Sequence, residues 1–260
     1  MCDKMKKYLI FTVASLLLMP SCLTKKEKPG ELTRTSGEVK LVTLDPGHFH
    51  AALVQKNSYK QVADEVYVYA PEGDDVQEHL NKINGYNTRT DSPTKWKEVV
   101  YLGSDFLEKM LSEKKGNVMI TAGNNGKKTE YIKQTLMAGI HVLADKPMAI
   151  NSENFGLLKE CFDIARGKGI LLYDIMTERH EITTVLQREL SCIPAVYGEQ
   201  LKGTPEEPAI VKESVHHFFK VVSGTPLKRP AWFFDVNQQG EGIVDVTTHL
   251  VDLVQWEAFP

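Results

Sequence analysis

His141-Val142-Leu143-Ala144-Asp145-Lys146-Pro147 is the stretch on which the reading of this chain turns. A short apolar run with the length of a buried strand ends in an acid, a lysine and a proline. Proline has no N–H to give a sheet ladder, so the strand stops there. Lys146 is thereby fixed at a strand's carboxyl end beside a carboxylate, the edge where ligands bind in open α/β sheets. Taken alone, the run also reads as a surface lysine at a turn. Upstream, Thr129 to Ala138 is amphipathic, with Ile132 and Leu136 one turn apart and Gly139 placed to cap the end. Downstream, Asn151 caps a helix striped by Leu157, Leu158, Cys161, Phe162 and Ala165 and ended by Gly167. Ile170 to Ile175 is the next apolar strand.

The same alternation extends toward the N-terminus. Lys40 to Leu44, Glu65 to Tyr69, Glu98 to Leu102 and Asn117 to Thr121 read as strands, and a helix starts at His50. Six apolar strands alternating with helices predict an α/β fold, a doubly wound parallel sheet of dinucleotide-binding type covered on both faces. After about residue 178 the pattern changes to α+β. Glu181 to Leu190 predicts a helix, Ala195 to Leu201 and Ala209 to Val222 predict strands, and Asp245 to Trp256 predicts a last helix.

The first residues read as targeting. Lys4, Lys6 and Lys7 precede an apolar run, Tyr8 to Met19, that is too short for a comfortable membrane span. Met19-Pro20-Ser21-Cys22 resembles the lipobox of bacterial lipoproteins, with Cys22 the lipidated residue; a generic secretory signal is the competing reading. The expected organisation is a signal peptide over 1–22, a linker over 23–38, a dinucleotide-binding domain over 39–178 and an incomplete α+β domain over 179–260. The expected location is the cell envelope, lipid-anchored, periplasmic or at the outer membrane. A net charge of −3 argues against a nucleic-acid partner. Cys161 and Cys192 are expected to be buried free thiols, because no metal-ligand spacing appears.

Between first strand and first helix runs Asp45-Pro46-Gly47-His48-Phe49-His50. This is where a glycine-rich phosphate turn belongs, but only the middle glycine stands, with Asp45 and His50 in the outer positions. Asp45 would repel a phosphate if it pointed inward, so it is expected to order the turn. His48 and His50 are candidate metal ligands without a third nearby, and no metal is expected. Glu72, just past the second strand, is the candidate ribose ligand, with a solvated loop acid as the alternative. Ala122, Gly123 and Asn124 follow the fourth strand and would let a flat ring lie against the strand ends; a plain surface loop competes. Late in the chain stand Trp232-Phe233-Phe234-Asp235 and Gly240-Glu241-Gly242, then Asp245 and His249 four apart on the predicted helix. That spacing puts both side chains on one face, so the carboxylate can orient the imidazole. A surface pair is the alternative.

Together these residues resemble the Gfo/Idh/MocA family, the glucose–fructose oxidoreductase and inositol dehydrogenase group. Its glutamate-lysine-proline appears here as Asp145-Lys146-Pro147, and its glycine turn with D-x-x-x-H as Gly240-Glu241-Gly242, Asp245 and His249. Arg179, after the sixth strand, also fits. The resemblance implies a Rossmann domain binding NAD or NADP through Asp45, Pro46, Gly47, His48, Phe49, Glu72, Ala122, Gly123, Asn124, Asp145, Lys146 and Arg179. It implies that Lys146 contacts substrate and nicotinamide, that His249 takes a proton from a sugar hydroxyl, and that Asp245 orients His249 or binds a neighbouring hydroxyl. The implied substrate is a sugar, polyol or glycoside. A homo-oligomer and a lipid-anchored membrane contact are compatible with this reading. Two further readings stand beside oxidoreduction: a glycosidase acting by transient oxidation and elimination, and a non-catalytic sugar-binding lipoprotein. In the family the open sheet continues well beyond the point reached here, so a truncated second domain with exposed apolar surface is expected.

Overall fold

In the computed structural model, residues 35–214, 219–222 and 224–259 are described. The expected signal peptide, Cys22 and most of the 23–38 linker lie outside them. Six parallel strands form the sheet: β1 Leu41–Leu44, β2 Glu65–Ala70, β3 Lys97–Leu102, β4 Val118–Thr121, β5 His141–Ala144 and β6 Leu172–Asp174. Their order is β3-β2-β1-β4-β5-β6, so the chain winds outward twice from β1 and β4. This is a Rossmann-type doubly wound fold, with the strand order reversing between β1 and β4.

Period-two alternation assigns the two cores. Val42, Leu44, Met119, Val142 and Ala144 point to one face. There they meet α3 (Phe106–Glu113), α4 (Asn125–Met137) and α5 (Ser152–Lys168) through Met110, Ile132, Leu136, Cys161 and Ala165. Leu41, Val66, Ile120 and Ala122 point to the other face, under α1 (His50–Leu53) and α2 (Asp74–Thr88). α4 ends as expected with Gly139 at positive φ, and α5 starts as expected with the Asn151 side chain capping it. α5 runs one residue past Gly167, and Gly169 in the left-handed region closes it. α2 and α3 are absent from the sequence expectations. The inward stripe of α2 is Val76, His79, Ile83 and Tyr86, a helical spacing interrupted by a histidine.

The second region departs more. In place of the expected strand at Ala195 there is α7 (Pro194–Tyr197), started by a proline at its first position, following α6 (Ile182–Ser191). Of the expected strand Ala209 to Val222, residues 215–218 lie outside the described residues and only Val221–Val222 is β7, paired antiparallel with β8 Thr225–Pro226. The last helix is split. α9 (Gly242–Asp245) is followed by Val246 and then α10 (Thr247–Ala258), while α8 (Val236–Gln239) precedes both. Cys161 is buried, but Cys192 is exposed because α6 has ended and nothing covers it; both are free. Ile182, Leu186 and Leu190, the apolar stripe of α6, are exposed. No described helix is long and apolar enough to cross a membrane.

One titratable group in the fold yields a stability prediction. Burial raises the Glu98 carboxyl from 4.5 to about 7, opposed by the Gln55 amide that donates to it at 2.6 Å. On raising the pH the unfolded chain ionises first. The contribution of Glu98 is therefore full below about pH 4.5 and lost as pH climbs through about 7. Glu98→Gln should leave stability unchanged near pH 4 and raise it by about 1–2 kcal/mol at pH 8, after discounting for partial exposure. Urea unfolding at the two pH values reads this out.

Candidate active site

The turn after β1 and the end of β4 meet at the switch point. Gly123, at φ +97°, lies so close to Gly47 that a Cβ on it would stand 2.7 Å from the Gly47 Cα. The backbone N–H groups of Gly47 and His48 both donate to the Ala122 carbonyl, at 2.8 and 3.0 Å. Asp45 takes the place of the first glycine of the phosphate turn and adopts the left-handed conformation a glycine would supply, at φ +46°. Its carboxylate faces away from the turn, accepting from the Asn124 amide at 2.8 Å and the Tyr131 hydroxyl at 3.0 Å. Asp45 and Asn124 thus order the loops, and Pro46, Gly47, His48 and Phe49 line the crevice.

Two expected cofactor residues are elsewhere. Glu72 is exposed, because α2 starts after it and carries the chain back over the sheet. Asp75, in the first turn of α2, reaches the crevice instead and accepts from the Trp232 indole N–H at 2.7 Å. Trp232 roofs Gly47, since a Cβ there would meet its ring at 2.9 Å. Arg179 is bound to Asp252 of α10 through both Nε, at 2.6 Å, and Nη2, so it ties the segment just after β6 to α10.

Lys146 extends from the end of β5 and donates to both the backbone carbonyl and the carboxylate of Asp245, each at 2.8 Å. The two residues are only 9% and 8% exposed. Gln239 donates to the same carboxylate at 2.9 Å. Burial works against ionisation of Asp245, but the ammonium beside it holds the carboxyl below its usual range. The expected orientation of His249 by Asp245 is not found. The chain leaves helical register at Val246, which turns Asp245 to Lys146, while His249 on α10 lies with Nδ1 2.5 Å from Glu178 Oε2. Burial would raise Glu178, yet the imidazole beside it keeps its carboxyl low. Glu178 is a site residue that the sequence reading missed. Lys146, Asp245 and His249 nonetheless line one pocket of about 360 Å³ with Glu178, His48 and His50.

Asp145 does not face that pocket's centre. It accepts from His48 Nδ1 at 2.9 Å and His50 Nδ1 at 2.8 Å. Burial opposes its charge, but the two imidazoles hold the carboxyl well below its usual value. Burial also lowers His48 to about 4, so it is neutral at physiological pH.

A parallel sheet with glycines back to back at its switch point, and a lysine, a histidine and carboxylates around one pocket at its carboxyl edge, define a fold of the dinucleotide-binding class. Residues 47–173 match the family described as "Oxidoreductase family, NAD-binding Rossmann fold", and residues 186–260 match the "Putative oxidoreductase C terminal domain". The chain belongs to the Gfo/Idh/MocA oxidoreductase family. It is similar to the crystal structure of a "putative oxidoreductase" from Parabacteroides merdae, 76% identical with a TM-score of 0.82, over 88% of this chain and 52% of that one. A "putative oxidoreductase" from Thermotoga maritima shares the fold at 15% identity and a TM-score of 0.58, over 84% of this chain and 58% of that one. The WlbA dehydrogenase from Bordetella pertussis, solved with NADH and UDP-GlcNAcA, does so at 16% and 0.54, over 88% and 57%. This chain spans a little over half the length of each. None of the curated proteins matches it.

The residues present fit a nicotinamide dinucleotide. Gly47 and Gly123 pack backbone against backbone at the switch point, so no side chain of either stands between the turn after β1 and the end of β4, where a pyrophosphate must come close.

Proposed function

We propose that this chain oxidises and reduces a hydroxyl-bearing carbon of a sugar, polyol or glycoside, with its nicotinamide cofactor kept bound between turnovers. The observation that carries this reading is the convergence of Lys146, Asp245 and His249 on one pocket at the carboxyl edge of the sheet. Pro46, Gly47, His48, Phe49 and Gly123 would hold the cofactor. When bound, NAD or NADP supplies the hydride acceptor and donor.

Lys146 uses two of its three N–H donors on Asp245. The third remains for the reacting oxygen, where the ammonium stabilises developing negative charge. Asp245 holds that lysine aimed. His249 takes the hydroxyl proton on Nε2, its ring oriented by Glu178, whose Oε2 lies 2.5 Å from Nδ1. Glu178 therefore takes the orienting role expected of Asp245. UDP-GlcNAcA in the WlbA dehydrogenase supports a carbohydrate as the substrate class.

The lysine-led N-terminal run and Cys22 support a lipid-anchored protein of the cell envelope, away from a soluble nicotinamide pool. Retained cofactor and a redox-neutral cycle follow from that placement. Denaturing purified protein should release nicotinamide, detectable by absorbance and mass. Incubating the holoprotein with glycosides and polyols should give an oxidised or exchanged sugar. Free aglycone with no net change in cofactor would assign the glycosidase outcome instead. Purified protein that neither carries nor binds nicotinamide would remove the proposal.

A further inference from the structure

His48, His50 and Asp145 bring two imidazoles and a carboxylate together in the interior. The histidines come from the turn after β1 and the start of α1, the aspartate from the end of β5, with β4 between those strands. One ligand atom from each lies within 4.8 Å of the others. The Nδ1–carboxylate separations are 2.9 and 2.8 Å. The side chains are 14%, 7% and 2% exposed. Backbone bonds fix the platform, because His48 N–H donates to Ala122 and Asp145 N–H to the Thr121 carbonyl. Among the described residues each imidazole has Asp145 as its one hydrogen-bond partner, and both line the pocket that holds Lys146, Asp245 and His249.

We propose that His48, His50 and Asp145 form a binding site for one divalent first-row transition ion, with its open face toward that pocket. Bond lengths of about 2.0–2.2 Å put neighbouring donors about 3–3.6 Å apart around such an ion. The imidazole–carboxylate separations are near this spacing, and all three donors lie within 4.8 Å of one another. Two nitrogens and a carboxylate suit Zn²⁺, Mn²⁺, Co²⁺ or Fe²⁺ rather than a hard oxygen-only ion. Positive charge nearby is already engaged. Lys146 is paired with Asp245, and Lys128 donates to the backbone carbonyl of Asp145, not to its carboxylate. The open positions face oxygen-rich chemistry, so a hydroxyl or carbonyl oxygen is the ligand the ion would add. That last point rests on the proposed function; binding of the ion itself does not.

The test uses chelator-stripped full-length protein carrying Cys192→Ser, so that the exposed thiol cannot bind metal. Titration with Mn²⁺ and Zn²⁺ alone, without sugar or nicotinamide, is followed by calorimetry. One ion per chain is expected, with binding more than 10-fold weaker in Asp145→Asn, His48→Gln and His50→Gln. Should a variant fail to fold, Mn²⁺ broadening of histidine ring resonances in otherwise unaltered protein gives the answer. His48 and His50 should broaden first, ahead of His79, His141, His180 and His249. No saturable binding, equal binding by all the variants, or broadening that spares His48 and His50 would overturn the site and leave a metal-free hydrogen-bonded cluster. Because no substrate enters the experiment, its failure leaves the oxidoreductase reading intact.

Discussion

Lys146→Met should lower turnover by about 10²–10³-fold and destabilise the fold by about 3 kcal/mol. The first effect is the loss of a positioned cation where negative charge develops. The second is the cost of leaving Asp245 buried without its partner, since breaking a buried ion pair from one side is strongly destabilising. The two effects can be separated. A buried pair replaced on both sides by apolar groups of similar size is often neutral, so Lys146→Met combined with Asp245→Leu should regain most of the stability. It should regain none of the turnover. Recovery of both would make the pair a packing device.

Gly123→Ala should be strongly destabilising, costing about 3 kcal/mol or more. The new Cβ would stand 2.7–2.9 Å from Gly47 Cα, C and N, backbone atoms that cannot swing aside. Residue 123 also sits at φ +97°, which an alanine tolerates poorly. Forcing the two loops apart opens the switch point, so cofactor retention should fall with stability. Gly37→Ala is the control. Its φ is +69° with nothing within 4 Å of the added atom, so it should cost about 1 kcal/mol and leave cofactor binding alone. Urea midpoints and nicotinamide released per mole of protein measure both variants.

The sheet was legible because its strands are short apolar runs, buried on both faces at β1 and β4 and more open at the edges β3 and β6, and each of the six falls where such a run predicts. Lys146 was legible because Pro147 ends β5 and leaves its neighbour at the ligand edge. The partners were not. Asp245 lies 99 residues from Lys146, and Asp145 lies 97 and 95 from the two histidines. Periodicity reports what shares a helix face and carries nothing about side chains joined across the fold. The i, i+4 spacing of Asp245 and His249 misled for a related reason. No glycine or proline marks the break at Val246, so the two read as one helical face while the chain turns them to different partners. Glu178 and Asp75 gave no signal beyond being acids near strand ends. In the second region the apolar content of residues 195–201 suggested a strand, but Pro194 started a helical turn, as proline at a first helical position does.

The central claim is that hydride exchange with a carbohydrate hydroxyl occurs beside Lys146. The most direct measurement is a single-turnover mix of holoprotein with a panel of sugars, polyols and glycosides, watching nicotinamide absorbance, for the wild type and Lys146→Met side by side. At least one carbohydrate should reduce the bound cofactor in the wild type, while Lys146→Met retains its cofactor and shows no change on the same timescale. Equal rates in the two proteins, with cofactor present in both, would contradict the claim.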